Sequence, residues 1–208
     1  RLSPTDLEYI INHAGDRVIF ADEDLLPLLE SLWGKIPCVE LLVICRHGEG
    51  GESSFTNQVD YEDFIADHPA AYDWPDIPET APMGLCYTSG TTGNPKGVMY
   101  TNRSTYLHTL TESLTDSMGL SALDSLLGIV PMFHAMGWGL PFAASMLGTK
   151  QVYPHRFMTP DSFLSLMQQE QVTISAGVPT IWQGVRATLT ANPDKFDLSK
   201  LQRLTCGG

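Results

Sequence analysis

Residues 87–98 read YTSGTTGNPKGV and gather four hydroxyl side chains (Thr88, Ser89, Thr91, Thr92), three glycines (Gly90, Gly93, Gly97) and one cation, Lys96, behind an apolar lead-in. Glycines let backbone N–H groups turn toward an oxyanion, hydroxyls add donors, and a lysine supplies a compact positive charge. That combination suits a polyphosphate. The Walker spacing G-x-x-x-x-G-K-[ST] is not met, because Gly90 and Gly93 lie three apart and Pro95 precedes Lys96. A plain surface turn is the alternative reading of the same glycine-rich composition. A second chemically suggestive stretch is PMFHAMGW, where His134 and Trp138 stand in a run with no other titratable group between Asp124 and Lys150. A lone histidine in apolar surroundings is often a hydrogen-bonded core residue, so this one needs further support before it counts as functional.

The elements that must position these residues alternate along the chain. RVIFA (17–21) and ELLVIC (40–45) are β-rich runs separated by the helically spaced LLPLLESLW. YEDFIADH reads as a short amphipathic helix, and an acidic connector with Pro69, Pro75, Pro78 and Pro82 follows. GLCYT (84–88) is a strand ending in the glycine-rich motif, and GVMYT is extended again. Asn102 is the expected cap of a helix running through Tyr106, Leu107, Leu110 and Leu114. LLGIV, QVY, VTISAGV and LQRLTC are further strands. Between them lie a helix opened by Thr159 and Pro160 and another from Pro179 to about Ala191. This order predicts an α/β fold of mainly parallel sheets flanked by helices. In such sheets ligands bind beyond the carboxyl ends of strands, where the glycine-rich motif, PMFH, GVP and CGG all fall.

Composition narrows the partners. The 208 residues, 43% hydrophobic and 17% charged, suit a packed core rather than disorder. A net charge of −12, with no Lys or Arg from His47 to Pro95, argues against a nucleic-acid surface. Four isolated cysteines without C-x-x-C spacing fit a reducing, cytoplasmic compartment. The opening RLSPTDLEYI lacks a signal peptide's apolar region. The charge-poor stretch 125–149 is too rich in proline and glycine for a membrane-spanning helix, which leaves peripheral membrane contact and a homodimer open.

YTSGTTGNPKGV resembles the phosphate-loop signature of the acyl-adenylate-forming superfamily, which includes acyl-CoA synthetases, peptide-synthetase adenylation domains and luciferases. PMFHAMGW, SAGVPTIW and LTCGG follow in that family's order, and FHAMGWGLPF is most similar to the medium- and long-chain fatty acyl-CoA synthetases. The resemblance implies that the whole chain, 1–208, is part of a large N-terminal AMP-binding domain. Residues 1–82 would form a first α/β segment and acidic connector, and 83–208 the phosphate loop and acyl-pocket segment.

By the same resemblance, Thr88, Ser89, Gly90, Thr91, Thr92, Gly93 and Lys96 would hold ATP phosphates, with Thr88 the candidate for Mg²⁺. His134 would orient the carboxylate against the α-phosphate, and Trp138 would gate an acyl tunnel. Val178, Pro179 and Trp182 would line the acyl pocket, while Gly207 and Gly208 would open the segment that meets adenine. The implied reaction joins a fatty acid and ATP into acyl-AMP and pyrophosphate, and then forms a thioester with coenzyme A.

Relatives continue past CGG with adenine- and ribose-binding motifs and a C-terminal domain carrying a catalytic lysine. The chain therefore reads as a central slice of a larger synthetase, expected to be inactive alone. Aryl-acid ligases, amino-acid adenylating domains and a non-catalytic nucleotide-binding module are the alternatives. The absence of an acidic residue from Ala135 to Leu147 counts against an amino-acid substrate.

Overall fold

A computed structural model describes residues 2–48, 53–88 and 93–207. The chain divides into two compact units, Arg1–Asp76 with Tyr87–Gly97, and Ile77–Cys86 with Val98–Gly208.

The first unit begins with a helix absent from the sequence reading, α1 (Pro4–Ala14). Its signals are local. The Ser3 hydroxyl accepts from the Asp6 amide, Asp6 accepts from the Ser3 amide, Pro4 opens the first turn, and Gly15 ends the helix at φ +70°. Strand β1 (Val18–Asp22) follows, then a 3₁₀ turn and α2 (Leu26–Glu30), β2 (Leu41–Cys45), β3 (Gln58–Asp60) and α3 (Tyr61–Ala66). The three strands pair in parallel with β2 in the middle, Val18 opposite Leu41 and Leu42 opposite Gln58. Central placement explains why Leu42, Val43 and Ile44 are all fully buried. Strand β3 was not foreseen, because its three residues carry no apolar alternation.

Strands β4 (Pro82–Thr88) and β5 (Lys96–Thr101) form a two-stranded sheet. The next helix, α4 (Asn102–Ser113), is capped by Thr101 rather than Asn102. The Thr101 hydroxyl accepts from the Ser104 amide and the Ser104 hydroxyl accepts from the Thr101 amide, a reciprocal pair that Asn102 is one residue too late to make. The helix also stops before Leu114. Its apolar residues Tyr106, Leu107, Leu110 and Leu114 are exposed, while Thr109 and Glu112 are buried.

The second unit continues with β6 (Ser125–Gly128), the single turn α5 (Ala135–Trp138), α6 (Leu140–Leu147) and β7 (Lys150–Val152). It closes with α7 (Pro160–Gln169), β8 (Ile174–Gly177), α8 (Pro179–Ala191) and β9 (Arg203–Cys206). All four strands are parallel in the order β7-β6-β8-β9. Alternate residues of β6 serve opposite faces. Leu126 packs with Leu140, Ala143 and Ala144 of α6, whereas Leu127 packs with Phe163, Leu164 and Met167 of α7 and Val185 of α8. The charge-poor run is thus a central strand and a covering helix. No helix among the described residues is long and apolar enough to cross a membrane.

At the amino-terminal ends of β6, β8 and β9 one carboxylate gathers the strands. Asp124 accepts from the Ser121 amide at 2.9 Å, the Ser121 hydroxyl at 3.0 Å and the Thr173 hydroxyl at 2.7 Å, and it pairs with the Arg203 guanidinium. Burial alone would raise its pKa, but the hydrogen bonds from Thr173, Ser121 and Arg203 outweigh burial and hold it below the ordinary 3.8. A folded value below the unfolded one means the stabilisation is complete above the unfolded pKa and is lost as pH falls through the folded one. Asp124→Asn should therefore lower stability at neutral pH by about 2–3 kcal/mol, the scale for hydrogen bonds to a buried charged group. Denaturant unfolding of both proteins at pH 7 and in the acid range checks this, and the gap should shrink below pH ~4.

Candidate active site

Strand β4 ends at Thr88, and β5 begins at Lys96. Between them, the Thr88 hydroxyl donates to the Lys96 carbonyl at 3.4 Å, which narrows the mouth of the loop. Gly93 has φ +132°, a backbone conformation that side-chain-bearing residues rarely adopt. Ser89, Gly90, Thr91 and Thr92, the hydroxyl-rich tip of the motif, lie outside the described residues, as does Gly208. The β4 stem is anchored from below. Tyr87 shares a 2.6 Å hydrogen bond with His13 Nδ1 in the last turn of α1, and His13 stacks on Tyr9. Burial pushes the Tyr87 phenol's pKa up, aided by nearby Tyr9 and Asp16, so the phenol stays neutral. Lys96 is exposed and pairs with no carboxylate among the described residues, which leaves its charge available to a ligand anion.

The second unit holds a cavity of about 660 Å³ lined by residues that include Tyr100, His108, Glu112, Met118, Trp138 and Phe142. Its size falls within the range of about 300–1,000 Å³ usual for small-molecule sites. One wall is α4, which contributes the polar residues Ser104, Thr105, His108 and Glu112. The other is the segment after β6, where Ala135, Met136, Gly137, Trp138 and Gly139 all have positive φ, from 45° to 73°. A left-handed turn costs roughly 1–2 kcal/mol for each residue bearing a Cβ. Ala135, Met136 and Trp138 therefore store several kcal/mol that the surroundings must hold. Strain of this kind gathers at sites that bind or switch.

The supports are visible. The Trp138 carbonyl is 3.0 Å from His108 Nε2, and His108 Nε2 lies 3.3 Å from Glu112. A Cβ added at Gly139 would fall 2.3 Å from the His108 ring, and one at Gly207 would come within 3.1 Å of the Trp138 indole. Gly139 is thus required for the close approach of His108, while a side chain at 207 would need the indole to give by a few tenths of an ångström. His134 caps the turn: its amide donates to Pro131 O at 3.0 Å, its carbonyl accepts from Gly137 at 3.0 Å, and its ring is exposed.

Sequence reasoning also singled out Val178, Pro179 and Trp182. Val178 and Pro179 are exposed at the start of α8. Trp182 is half-buried, and its indole N–H donates to Gly177 O at 3.2 Å and Thr205 O at 3.1 Å, tying the ends of β8 and β9 together. None of the three is among the residues lining this cavity. Conversely, His108 and Glu112 escaped the sequence reading. The available signal was their i,i+4 spacing on a helix directly after the strand pair that carries the glycine-rich motif.

Comparison with known proteins places this geometry in context. The family model for AMP-binding enzymes matches residues 1–208. A medium-chain fatty acid–CoA ligase of Ectopseudomonas oleovorans is 41% identical over the whole chain. A 3-methylmercaptopropionyl-CoA ligase of Ruegeria pomeroyi is 43% identical, and a long-chain fatty acid–CoA ligase of Thermus thermophilus 40% identical, again over all of the chain. The chain spans 38%, 38% and 37% of the lengths of these three relatives. Among solved structures, an anthranilate CoA ligase in complex with anthranoyl-AMP superposes with a TM-score of 0.82 at 25% identity, covering 99% of this chain and 38% of that one. A long-chain fatty acid–CoA ligase from Archaeoglobus fulgidus gives 0.80 at 24% identity, covering 98% of this chain and 38% of that one. With the parallel sheets, the glycine-rich loop and the full-length family match in agreement, the chain belongs to the AMP-binding enzyme family.

Proposed function

We propose that the protein containing this chain is an ATP-dependent fatty acid–CoA ligase of a reducing, cytoplasmic compartment. The observation that carries the fatty-acid part is the cavity, walled by Met118, Met136, Trp138 and Phe142 and large enough for an extended apolar tail. The four cysteines are free, in keeping with the compartment.

In this reading the carboxylate is already ionised at neutral pH, so the first step needs no general base. A carboxylate oxygen attacks the α-phosphorus of ATP, the bond to the bridging oxygen breaks, and pyrophosphate leaves with acyl-AMP formed. The thiol of coenzyme A then attacks the acyl carbonyl, AMP departs and the thiol proton passes to solvent. The barrier to the first step is repulsion between an anion and a polyanion. Donors and cations fixed around the phosphates are the effective remedy. Lys96 and the Thr88–Gly93 loop supply them, and the exposed His134 ring polarises and orients at the reacting centre.

Mg²⁺ fits this donor set in a restricted way. No group of three or more His, Cys, Asp or Glu that could hold a metal occurs among the described residues. Thr88 offers one hydroxyl oxygen, and nucleotide-bound Mg²⁺ takes most of its ligands from phosphate and water. Thr88 would then hold the ion as part of the nucleotide complex, where it neutralises phosphate charge.

Two measurements on the full-length enzyme test the reading. Lys96→Ala should lower kcat/KM for pyrophosphate release by roughly 30- to 1,000-fold, equivalent to ~2–4 kcal/mol for one preorganised charge partner. Thr91→Val should cost less, because neighbouring donors remain. Unchanged rates in both variants would return the loop to an ordinary surface turn. Trp138→Ala should admit fatty acid without nucleotide and flatten chain-length preference, which otherwise follows ~0.8 kcal/mol for each buried methylene. Lost stability, about 3–5 kcal/mol for a core tryptophan, with selectivity intact would leave Trp138 as packing.

A further inference from the structure

The ligase reading gives no task to Tyr87, the residue that opens the glycine-rich motif. Its phenol oxygen lies 2.6 Å from His13 Nδ1, and the two rings meet edge-on, with centroids 5.8 Å apart and planes at 85°. Tyr9, one helical turn before His13, stacks on the imidazole with centroids 5.2 Å apart and planes at 27°. A hydrogen bond and a stacked ring together fix the imidazole.

Helix α1, which carries both residues, is itself held to the core of the first unit. Ile11 is buried in one cluster with Leu26, Leu29 and Leu42. The Asn12 amide donates to the Lys35 carbonyl at 2.8 Å, and the Cys38 thiol donates to the Ile11 carbonyl at 3.6 Å. The far end of the link needs such an anchor. Among the described residues β4 and β5 pair only with each other, and a two-stranded ribbon is marginal in water without outside packing. Thr88 follows Tyr87 directly and carries the hydroxyl that reaches the Lys96 carbonyl, so whatever fixes Tyr87 also fixes the mouth of the motif.

The link contributes little to the core. Tyr9, His13 and Tyr87 belong to none of the buried clusters, and the His13 ring is exposed. A hydrogen bond in that setting adds modestly to overall stability, and its constraint falls on the residues it orients. Burial pushes the Tyr87 phenol's pKa up, with Tyr9 and Asp16 acting the same way. A neutral phenol can donate to Nδ1 or accept from it, so either tautomer of the imidazole makes the link. It is a fixed strut and not a switch.

We propose that His13 is a positioning residue for the nucleotide: through Tyr87 it sets where β4 delivers Thr88, and with it the glycine-rich motif, to the phosphates of ATP. The proposal rests on the reading of this motif as the ATP-phosphate site. Donors held in place before the ligand arrives need no ordering when it binds, whereas a motif released from its strut must be ordered at each binding event.

Calorimetric binding of a non-hydrolysable ATP analogue with Mg²⁺ to the full-length enzyme tests the strut. Tyr87→Phe, which keeps the ring and removes the hydroxyl, and His13→Ala should each weaken binding by about three- to tenfold, the scale of one lost hydrogen bond. His13→Asn, whose amide stands at the same distance from the backbone as Nδ1, should recover most of the affinity. The double variant of His13→Ala with Tyr87→Phe should be no weaker than either alone, because both remove one interaction. Unfolding midpoints should stay close to wild type, since no core cluster is opened.

Unchanged nucleotide affinity in both single variants, with Lys96→Ala still weakening it, would overturn the strut and leave His13 as surface packing. A loss of affinity that tracks the unfolding midpoint and that His13→Asn does not recover would overturn it too. Affinity unchanged in all of these variants, Lys96→Ala included, would instead overturn the ATP-phosphate reading of the motif, and the strut with it.

Discussion

A left-handed turn built partly from residues with side chains persists only where its surroundings over-determine it, and the turn from Ala135 to Gly139 sets the terms for the second unit. It must leave β6 in a fixed direction, so β6 has to be immobile. That strand achieves this by lying between β7 and β8, with Leu126 and Leu127 locked into separate cores on the two faces. It must also meet α4 closely, which requires glycine at 139 and the presentation of the polar, not the apolar, side of α4 toward the cavity. The uncovered leucines of α4 are the counterpart of that choice.

The sheet separates two duties between its ends. At the amino ends of β6, β8 and β9, Asp124 and Arg203 join chain segments in a network dense with hydrogen bonds. At the carboxyl ends, the links are those that functional sites tolerate: a tryptophan N–H shared by two carbonyls, glycines at close contacts, and a histidine on a strained carbonyl. Stability concentrated at one end permits strain at the other. The first unit follows the same plan on a smaller scale, with His13 and Tyr87 bracing the stem of the glycine-rich motif and Lys96 paired with no carboxylate among the described residues.

Much of this was legible in the amino-acid order. Alternating β-rich and helical runs announced parallel sheets, and the twelve-residue motif carried the resemblance to the family that the whole chain matches. What was missed has physical reasons. Helix α1 lacks a strong apolar stripe in its first turn, and its evidence is a capping box that pattern reading passed over. The buried face of α4 was not read at all: Tyr106, Leu107, Leu110 and Leu114, which marked the helix, are exposed, whereas Thr109 and Glu112 are buried. The left-handed turn is not predictable from AMGWG beyond its two glycines, since Ala135, Met136 and Trp138 adopt positive φ only under tertiary constraint. His108 and Glu112 gain meaning from a carbonyl thirty residues away from His108 in sequence.

The most direct test of the account is a crystal structure of the full-length enzyme with a non-hydrolysable dodecanoyl-adenylate analogue, compared with the unliganded enzyme. The account predicts that the acyl chain fills the cavity lined by α4, Met136 and Phe142, with the Trp138 indole withdrawn from Gly207. An acyl chain bound elsewhere, with the cavity unchanged and the indole still against Gly207, would contradict it.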